Sequence, residues 1–369
     1  GFQPLNTANA RPVKVISRPD QYVGVTTYAG DGTSVVVSDY QFKPDFVWIK
    51  GYTDPDRHGL YDTVRGVTKR LQSSESNAED TQNGVMSFDD KGFSVGDYAE
   101  TNGSGRGYVA WAWRAGGNKN TFNVDDVGYA TAAAAGLNGG TLTVTGASVG
   151  TKQGFSIIKY TGSGSAGDSA SHGLSEAPKF IITKNIDNGT YSWRVFTTVI
   201  DGTNDRVFLN ATTAQVAQSD APVPTSSLFY VGSNLDHNKS GDDIIAYLWH
   251  DVPGLQKFGS FEGNENANGP FVELGFEPAV VILKNLDNTG TGYDWFMFDN
   301  QRDKFNPCSS VLLANSSAAA SSANSIDFLS NGFKIRASTN GINLNSHTIL
   351  YAAWAEAPSI DLYGGGANA

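Results

Sequence analysis

The sequence predicts an all-β protein: three homologous β-sandwich units in tandem, jelly-roll or lectin-like, with little helix. Three observations lead there. One short strand is written three times, as "PDFVWIK" (Pro44 to Lys50), "PKFIITK" (Pro178 to Lys184) and "PAVVILK" (Pro278 to Lys284). Apolar stretches elsewhere are short, alternate with period two, and are separated by Gly, Asn, Asp and Ser turns, the pattern of sandwiches and barrels. The composition agrees, with 42 glycines in 369 residues and 11% aromatics, and no long Ala/Leu/Glu/Lys run of helical period.

Aligned on the lysine, further anchors recur in order. Upstream stands an aromatic-x-Gly, "YAG" at Tyr28, "YTG" at Tyr160 and "FEG" at Phe261, which lie 22, 24 and 23 residues before the lysine. Downstream come "HGLYDTVRG", "YSWRVFTTV" and "YDWFMFDNQR", then "KRLQSS", "RVFLNA" and "VLLANSS". "KGFSVG", "SLFYVG" and "NGFKIR" follow, and then the polar turns "NGSGRG", "NKSGDD" and "NLNSHT". Each unit closes on an apolar strand ending in Trp113, Trp249 or Trp354, which lie 63, 65 and 70 residues past the lysine.

Taken along the chain, residues 1–20 carry three prolines and read as an extended arm. Unit one spans 21–117. In its strand "DFVWIK", Phe46, Trp48 and Lys50 share one face and Val47 and Ile49 the other. Both faces are apolar, so this strand belongs in the middle, between a second sheet and further cover. Pro44 precedes the strand, where a missing donor is tolerated. Residues 118–153 match nothing in the other copies and predict an inserted hairpin or linker containing "TLTVTGASV". Unit two spans 154–254 and unit three 255–358, joined through "HDVPGLQ", too short for free movement; 359–369 read as a flexible tail. The Ala-rich stretches Ala130 to Gly136 and Asn315 to Asn324 are too short or too Ser-rich to predict helix.

A net charge of −11 argues against a nucleic-acid binder and against adsorption to anionic lipid. The single cysteine, Cys308, excludes an intrachain disulfide framework and reads as an inert packed thiol. No apolar run approaches the ~18–20 residues of a membrane span, and no basic-then-apolar leader opens the chain. No cofactor is expected.

The lysines Lys50, Lys184 and Lys284 invite a catalytic reading, because a desolvated lysine can be a nucleophile. Chemistry needs one lysine and not three, so the expectation is structural: methylenes over apolar neighbours, ammonium in water. Trp113, Trp249, Trp354, Trp193 and Trp295 recur and are expected in the repeat core. The non-recurrent Trp48 and Trp111, with Tyr52 and Tyr98, are the candidate stacking platforms for a ligand such as a sugar. Acidic turns at Asp187, Asp287 and Asp236 are weak calcium candidates, because oxygen-rich loops suit a hard cation, but Asx turns explain them equally well and no metal is expected. Glu262, Glu265 and Glu273 cluster in sequence without showing the paired geometry of glycoside hydrolysis, and the five histidines are scattered. No enzyme is predicted.

The blocks "FKPDFVWIKG", "GFSIIKYTGSG", "KFGSFEGNENANGPFVELGFEPAVVILK" and "YAAWAEAP", in this order, resemble a group of repeat-containing virion proteins of tailed, often marine, bacteriophages, of the tail-fibre or structural type. The resemblance runs from about Tyr22 to Pro358, and "RPVKV" near the start is similar to the attachment end of such proteins. It implies a virion location, made in the host cytoplasm, as a tail fibre or capsid appendage. It also implies contacts with other virion proteins through the N-terminal arm, a homo-oligomer for which a trimer fits, and a host-surface glycan as ligand. The alternatives are a polysaccharide depolymerase and a purely structural capsid decoration protein.

Overall fold

The structure, a computed structural model, describes residues 16–322 and 324–357. The fold is all-β. Among the described residues the helices are a 3-10 turn at Pro19–Gln21 and three of four residues each, Ala99–Asn102, Leu235–Asn238 and Asn340–Asn343. The Ala-rich stretches form no helix among the described residues.

Three antiparallel sheets share one strand order. An opening strand (Val23–Ala29, Phe155–Thr161, Gln256–Glu262) pairs with a closing strand (Gly107–Trp113, Asp243–Trp249, Thr348–Ala355). The closing strand pairs with the lysine strand (Phe46–Gly51, Phe180–Asn185, Pro278–Asn285), and that with a return strand (Gly59–Asp62, Arg194–Thr197, Trp295–Asp299). The proline expected just before the lysine strand stands there in the first two sheets, whereas Pro278 is the strand's first residue, where the pairing shifts register.

Each main sheet is apolar on both faces for two reasons. One face packs on a smaller sheet of its own third: Val35–Val37, Gly92–Val95 and Val85–Asp89 in the first; Ser169–Ser171 with Leu228–Tyr230 in the second; Phe271–Glu273, Gly332–Ile335 and Ile326–Leu329 in the third. Val47, Ile49, Ala110 and Ala112 line that interior in the first third, as Ile158, Ile181, Ala246 and Leu248 do in the second. The opposite faces of all three sheets meet in one common core, where Phe46, Trp48 and Trp111 join Phe155, Ile182 and Tyr247, and Phe258, Ile282 and Trp354. The thirds therefore do not follow one another as separate sandwiches. Three half-covered sheets each need a second cover, and each finds it in the other two. Fully burying one such large apolar side chain contributes about 1.5–3 kcal/mol.

Trp113, Trp249 and Trp354 meet in that core. Their ring centroids are 5.3, 5.9 and 6.3 Å apart and every pair is edge-to-face, at 68–71°. Such geometry suits the aromatic quadrupole. Among the described residues their indole N–H groups have no oxygen or nitrogen acceptor, and each ring lies against the other two.

The segment 118–153 is neither a free linker nor a separate unit. Phe122–Val124 and Val127–Tyr129 form a hairpin. Val144–Gly150 runs parallel to the first of these and antiparallel to the opening strand Phe155–Thr161, which extends the second sheet to nine strands. Of the arm at 1–20 only Ile16 to Asp20 is described: Ile16 is buried in the common core and its N–H donates to Pro253 O at 3.3 Å. Residue 358 and the tail at 359–369 lie outside the described residues.

Candidate functional site

Lys50, Lys184 and Lys284 share the common-core face of their strands, and all three are fully buried. The expected solvated ammonium is corrected here. Lys50 Nζ donates to Gly51 O at 2.6 Å and to Ser317 O at 3.2 Å; Lys184 Nζ to Asn185 O at 2.6 Å and Asn188 O at 3.4 Å; Lys284 Nζ to Tyr293 O at 2.7 Å. Carbonyl dipoles replace water, and among the described residues no carboxylate forms an ion pair with any of the three. Burial therefore pulls each ammonium from its ordinary 10.5 down to about 8. The lysines close strand ends and hold loops, a structural role.

Opposite each lysine, at the first residue of the return strand (Trp295) or just before it (His58, Trp193), stands a residue that reaches into a neighbouring third. Trp193 Nε1 donates to Gln72 O at 2.8 Å, Trp295 Nε1 to Phe208 O at 2.8 Å, and His58 Nε2 lies 2.9 Å from Leu313 O. His58 Nδ1 accepts from Trp48 Nε1 at 2.8 Å, which puts the ring proton on Nε2 and makes His58 the donor to Leu313. The acceptors hold matching places beside the return strands, so these bonds run second third to first, third to second and first to third, and the ring closes. A backbone ring crosses the same junctions with donation in the opposite sense, first third to second, second to third and third to first: Glu79 N donates to Ile186 O, Gln215 N to Leu286 O and Ala320 N to Tyr52 O.

Ionic contacts occupy the same junctions. Asp62 and Arg65, side chains almost fully buried, pair at 2.5 Å, and Tyr247 Oη donates to Asp62 at 2.7 Å from the second third. Asp299 and Arg302 repeat the pair at 2.7 Å, with Trp111 Nε1 donating to Asp299 at 3.2 Å from the first third. At the remaining junction Thr197 and Ile200 replace Asp and Arg, and the position matching Trp111 and Tyr247 is Ala352. The donor is missing where the acceptor is missing.

Asp187 and Asp287 spend their carboxylates on the first N–H of the closing strand, at 2.7 Å to Asp243 N and 2.6 Å to Thr348 N. In the first third Thr53 Oγ1 does the same for Gly107 N at 2.9 Å, so a neutral hydroxyl suffices for the role. Asp236 accepts from Arg194 Nη2 at 2.6 Å. Among the described residues no three acidic, histidine or cysteine side chains gather as metal ligands do. Cys308 is buried, and burial pushes its thiol up to about 12. Glu262, Glu265 and Glu273 are all exposed.

The aromatic ligand candidates divide. Trp48 and Trp111 are corrected: both are buried, because the face of the sheet that would display them is the one covered by the other two thirds. Tyr52 is half-buried, its ring lying against the backbone of Gly107. Tyr98 is also half-buried; the Arg70 guanidinium stands 4.7 Å over its ring and donates to its hydroxyl.

Three buried asparagines escaped the sequence reading although their signal was present, as the first letter of each polar turn. Asn102, Asn238 and Asn343 end the short helices, and each donates at 2.8 Å to the carbonyl six residues earlier, Gly96, Gly232 and Ala337. Each side-chain oxygen also accepts a backbone N–H, from Asp31, Ser163 and Asn264. The aromatic-x-Gly anchor has its cause here too. A Cβ on Gly30, Gly162 or Gly263 would lie 2.2–2.3 Å from the carbonyl oxygen of the residue after that asparagine.

These features define an all-β protein whose recurrent residues hold three sheets in one closed ring. A family model described as a domain of unknown function, DUF7483, matches residues 18–358, and the chain belongs to that family. No curated protein and no solved structure matches it.

Proposed function

We propose that the protein is a non-enzymatic structural protein of a bacteriophage virion, a tail fibre or capsid appendage, whose loops engage a host-surface glycan. One observation carries the non-enzymatic part: the recurrent lysines, asparagines and ring N–H groups are spent on holding strand ends, turns and junctions. The lysines bind carbonyls, the asparagines pin turns, and the indole and imidazole N–H groups cross between thirds. A rigid protein without disulfides, acidic at its surface, suits a particle that must persist outside a cell. The virion location itself rests on the resemblance of the sequence blocks. The loops after the lysine strands are rich in Asn, Asp, Thr and Gly, and rigidly held loops are the usual carriers of recognition. Tyr52 and Tyr98 are the aromatic candidates that remain.

Cryo-electron microscopy of the particle that carries this chain tests the location. Projection from the tail or capsid with these loops outermost supports attachment, and a glycan array with wild type and Tyr98→Ala then tests the ligand. Enclosure by other chains along its length would remove the attachment role. A shell-decorating role without a host ligand is the second reading, and the burial of Trp48 and Trp111 favours it.

A further inference from the structure

Among the described residues the opening strand Val23–Ala29 is paired on one side only. Arg114 N donates to Tyr22 O, and Gly30 N to Arg106 O, so the even-numbered residues bond to the closing strand. Alternation then turns the N–H and C=O of Val23, Val25 and Thr27 outward. They face a groove of about 410 Å³, walled by Val23–Thr27 and Tyr40 on one side and by Ala279, Gln301 and Glu356 of the last third on the other. An unpaired strand edge at a groove is a template for another strand.

The same chain shows how such an edge is filled. In the second third the matching edge, that of Phe155–Thr161, carries the inserted strand Val144–Gly150 in antiparallel register. Among the described residues the first third has no such insert. The charge of the groove selects among guests: Asp20, Asp39 and Glu356 line it and, among the described residues, no Lys or Arg does. Asp20 holds Arg18, while among the described residues neither Asp39 nor Glu356 is in an ion pair. Burial, and then the charge of nearby Glu356, push the Glu277 carboxyl up.

We infer that this edge is a docking site for an extended, lysine- or arginine-bearing segment of a partner protein, which adds as a strand to Val23–Ala29 and sets its cations against Asp39 and Glu356. Main-chain hydrogen bonds supply the affinity and the carboxylates select the sign of charge. The inference stands without the virion reading, since it concerns peptide capture by this chain alone.

The test is fluorescence anisotropy of the full chain with a labelled, end-capped peptide Lys-Val-Thr-Val-Lys-Val, and with its counterpart carrying Glu in place of Lys. The lysine peptide is expected to bind at low salt at least tenfold more tightly than the glutamate peptide. Val25→Pro removes an outward donor, a change that edge strands tolerate, and is expected to abolish binding with the melting temperature kept within a few degrees. Asp39→Asn and Glu356→Gln are expected to weaken binding several-fold. Should Val25→Pro fail to fold, slowed hydrogen exchange at Val25 and Thr27 in the wild type on adding the lysine peptide gives the same answer. Failure of the lysine peptide to bind, equal binding by Val25→Pro, or equal binding of both peptides would overturn the inference. So would self-association of the chain that Val25→Pro abolishes, since a second copy would then be the occupant.

Discussion

Trp193 and Gln72 stand 121 residues apart in the chain, yet the indole Nε1 of one donates to the carbonyl of the other at 2.8 Å in the core. Trp295 with Phe208, and His58 with Leu313, repeat the relationship at the other two junctions. A contact made once could be incidental. Made three times in one rotational sense, it closes a ring.

Removing one donor should loosen one junction. Trp193→Phe and Trp295→Phe each keep the ring's bulk but strand a buried carbonyl, at a cost of about 1–3 kcal/mol. Urea denaturation followed by Trp fluorescence measures it. A loss below about 0.3 kcal/mol in both variants would show that the bonds do not hold the junctions.

The buried pair of Asp62 and Arg65 should matter more. Asp62→Asn leaves the buried guanidinium with the Glu79 carboxylate alone, at 3.3 Å, and destabilisation at the lower end of about 3–5 kcal/mol is expected. Tyr247→Phe, which removes only a hydroxyl from the same carboxylate, should cost about 1–2 kcal/mol. Thr197→Asp should also destabilise strongly, because Ala352 offers no donor there and Ile200 no cation. The three variants in one denaturation series check the order.

The three lysines predict a rise of stability with alkali. Their folded-state values of about 8 lie below the unfolded 10.5, so between those limits the unfolded chain holds protons that the folded one lacks. Raising the pH through that window favours folding. Buried tyrosines such as Tyr28 and Tyr247, pushed well above 10 by burial, oppose this from about pH 10 upward. Midpoints of urea denaturation at pH 7.5, 8.5 and 9.5 should therefore climb, and Lys284→Met should climb less. A wild type whose midpoint falls over this range would contradict the burial of these ammonium groups.

Acid should act the other way through histidine. Burial holds His58 and His237 at about 3 and His172 at about 4, against an unfolded 6.5. Their contribution is complete above pH 6.5 and is lost as pH falls toward 3. Asp45, pushed up to about 6 by burial, works against this trend between 6 and 3.8. His58→Gln should flatten the loss between pH 6 and 4, as read by thermal melts.

The buried asparagines offer the sharpest local test. Asn343→Asp keeps an acceptor but loses the donor to Ala337 O and Asn266 O, with a charge in a buried site. About 2–4 kcal/mol should be lost, whereas the exposed Asn345→Asp should change stability by less than about 0.5 kcal/mol. Differential scanning calorimetry of the two variants separates them.

Strands and their faces were legible in the residues alone. Period two in "DFVWIK" was enough to place Val47 and Ile49 against Phe46 and Trp48, and apolarity on both faces called for two covers. The recurrence of Lys50, Lys184 and Lys284 pointed to a shared place in the repeat, and all three are buried at equivalent strand ends. What covers the second face was not written locally, because any apolar layer would satisfy the same alternation. The packing of the whole chain covers each sheet with the other two, and this sent Trp48 and Trp111 inward as core and drew the lysine ammonium groups out of water onto carbonyls. It also made His58 the counterpart of Trp193 and Trp295, an equivalence of N–H geometry and register that residue identity conceals. Side-chain alternation is a property of one strand, and burial is a property of what the whole chain brings against it.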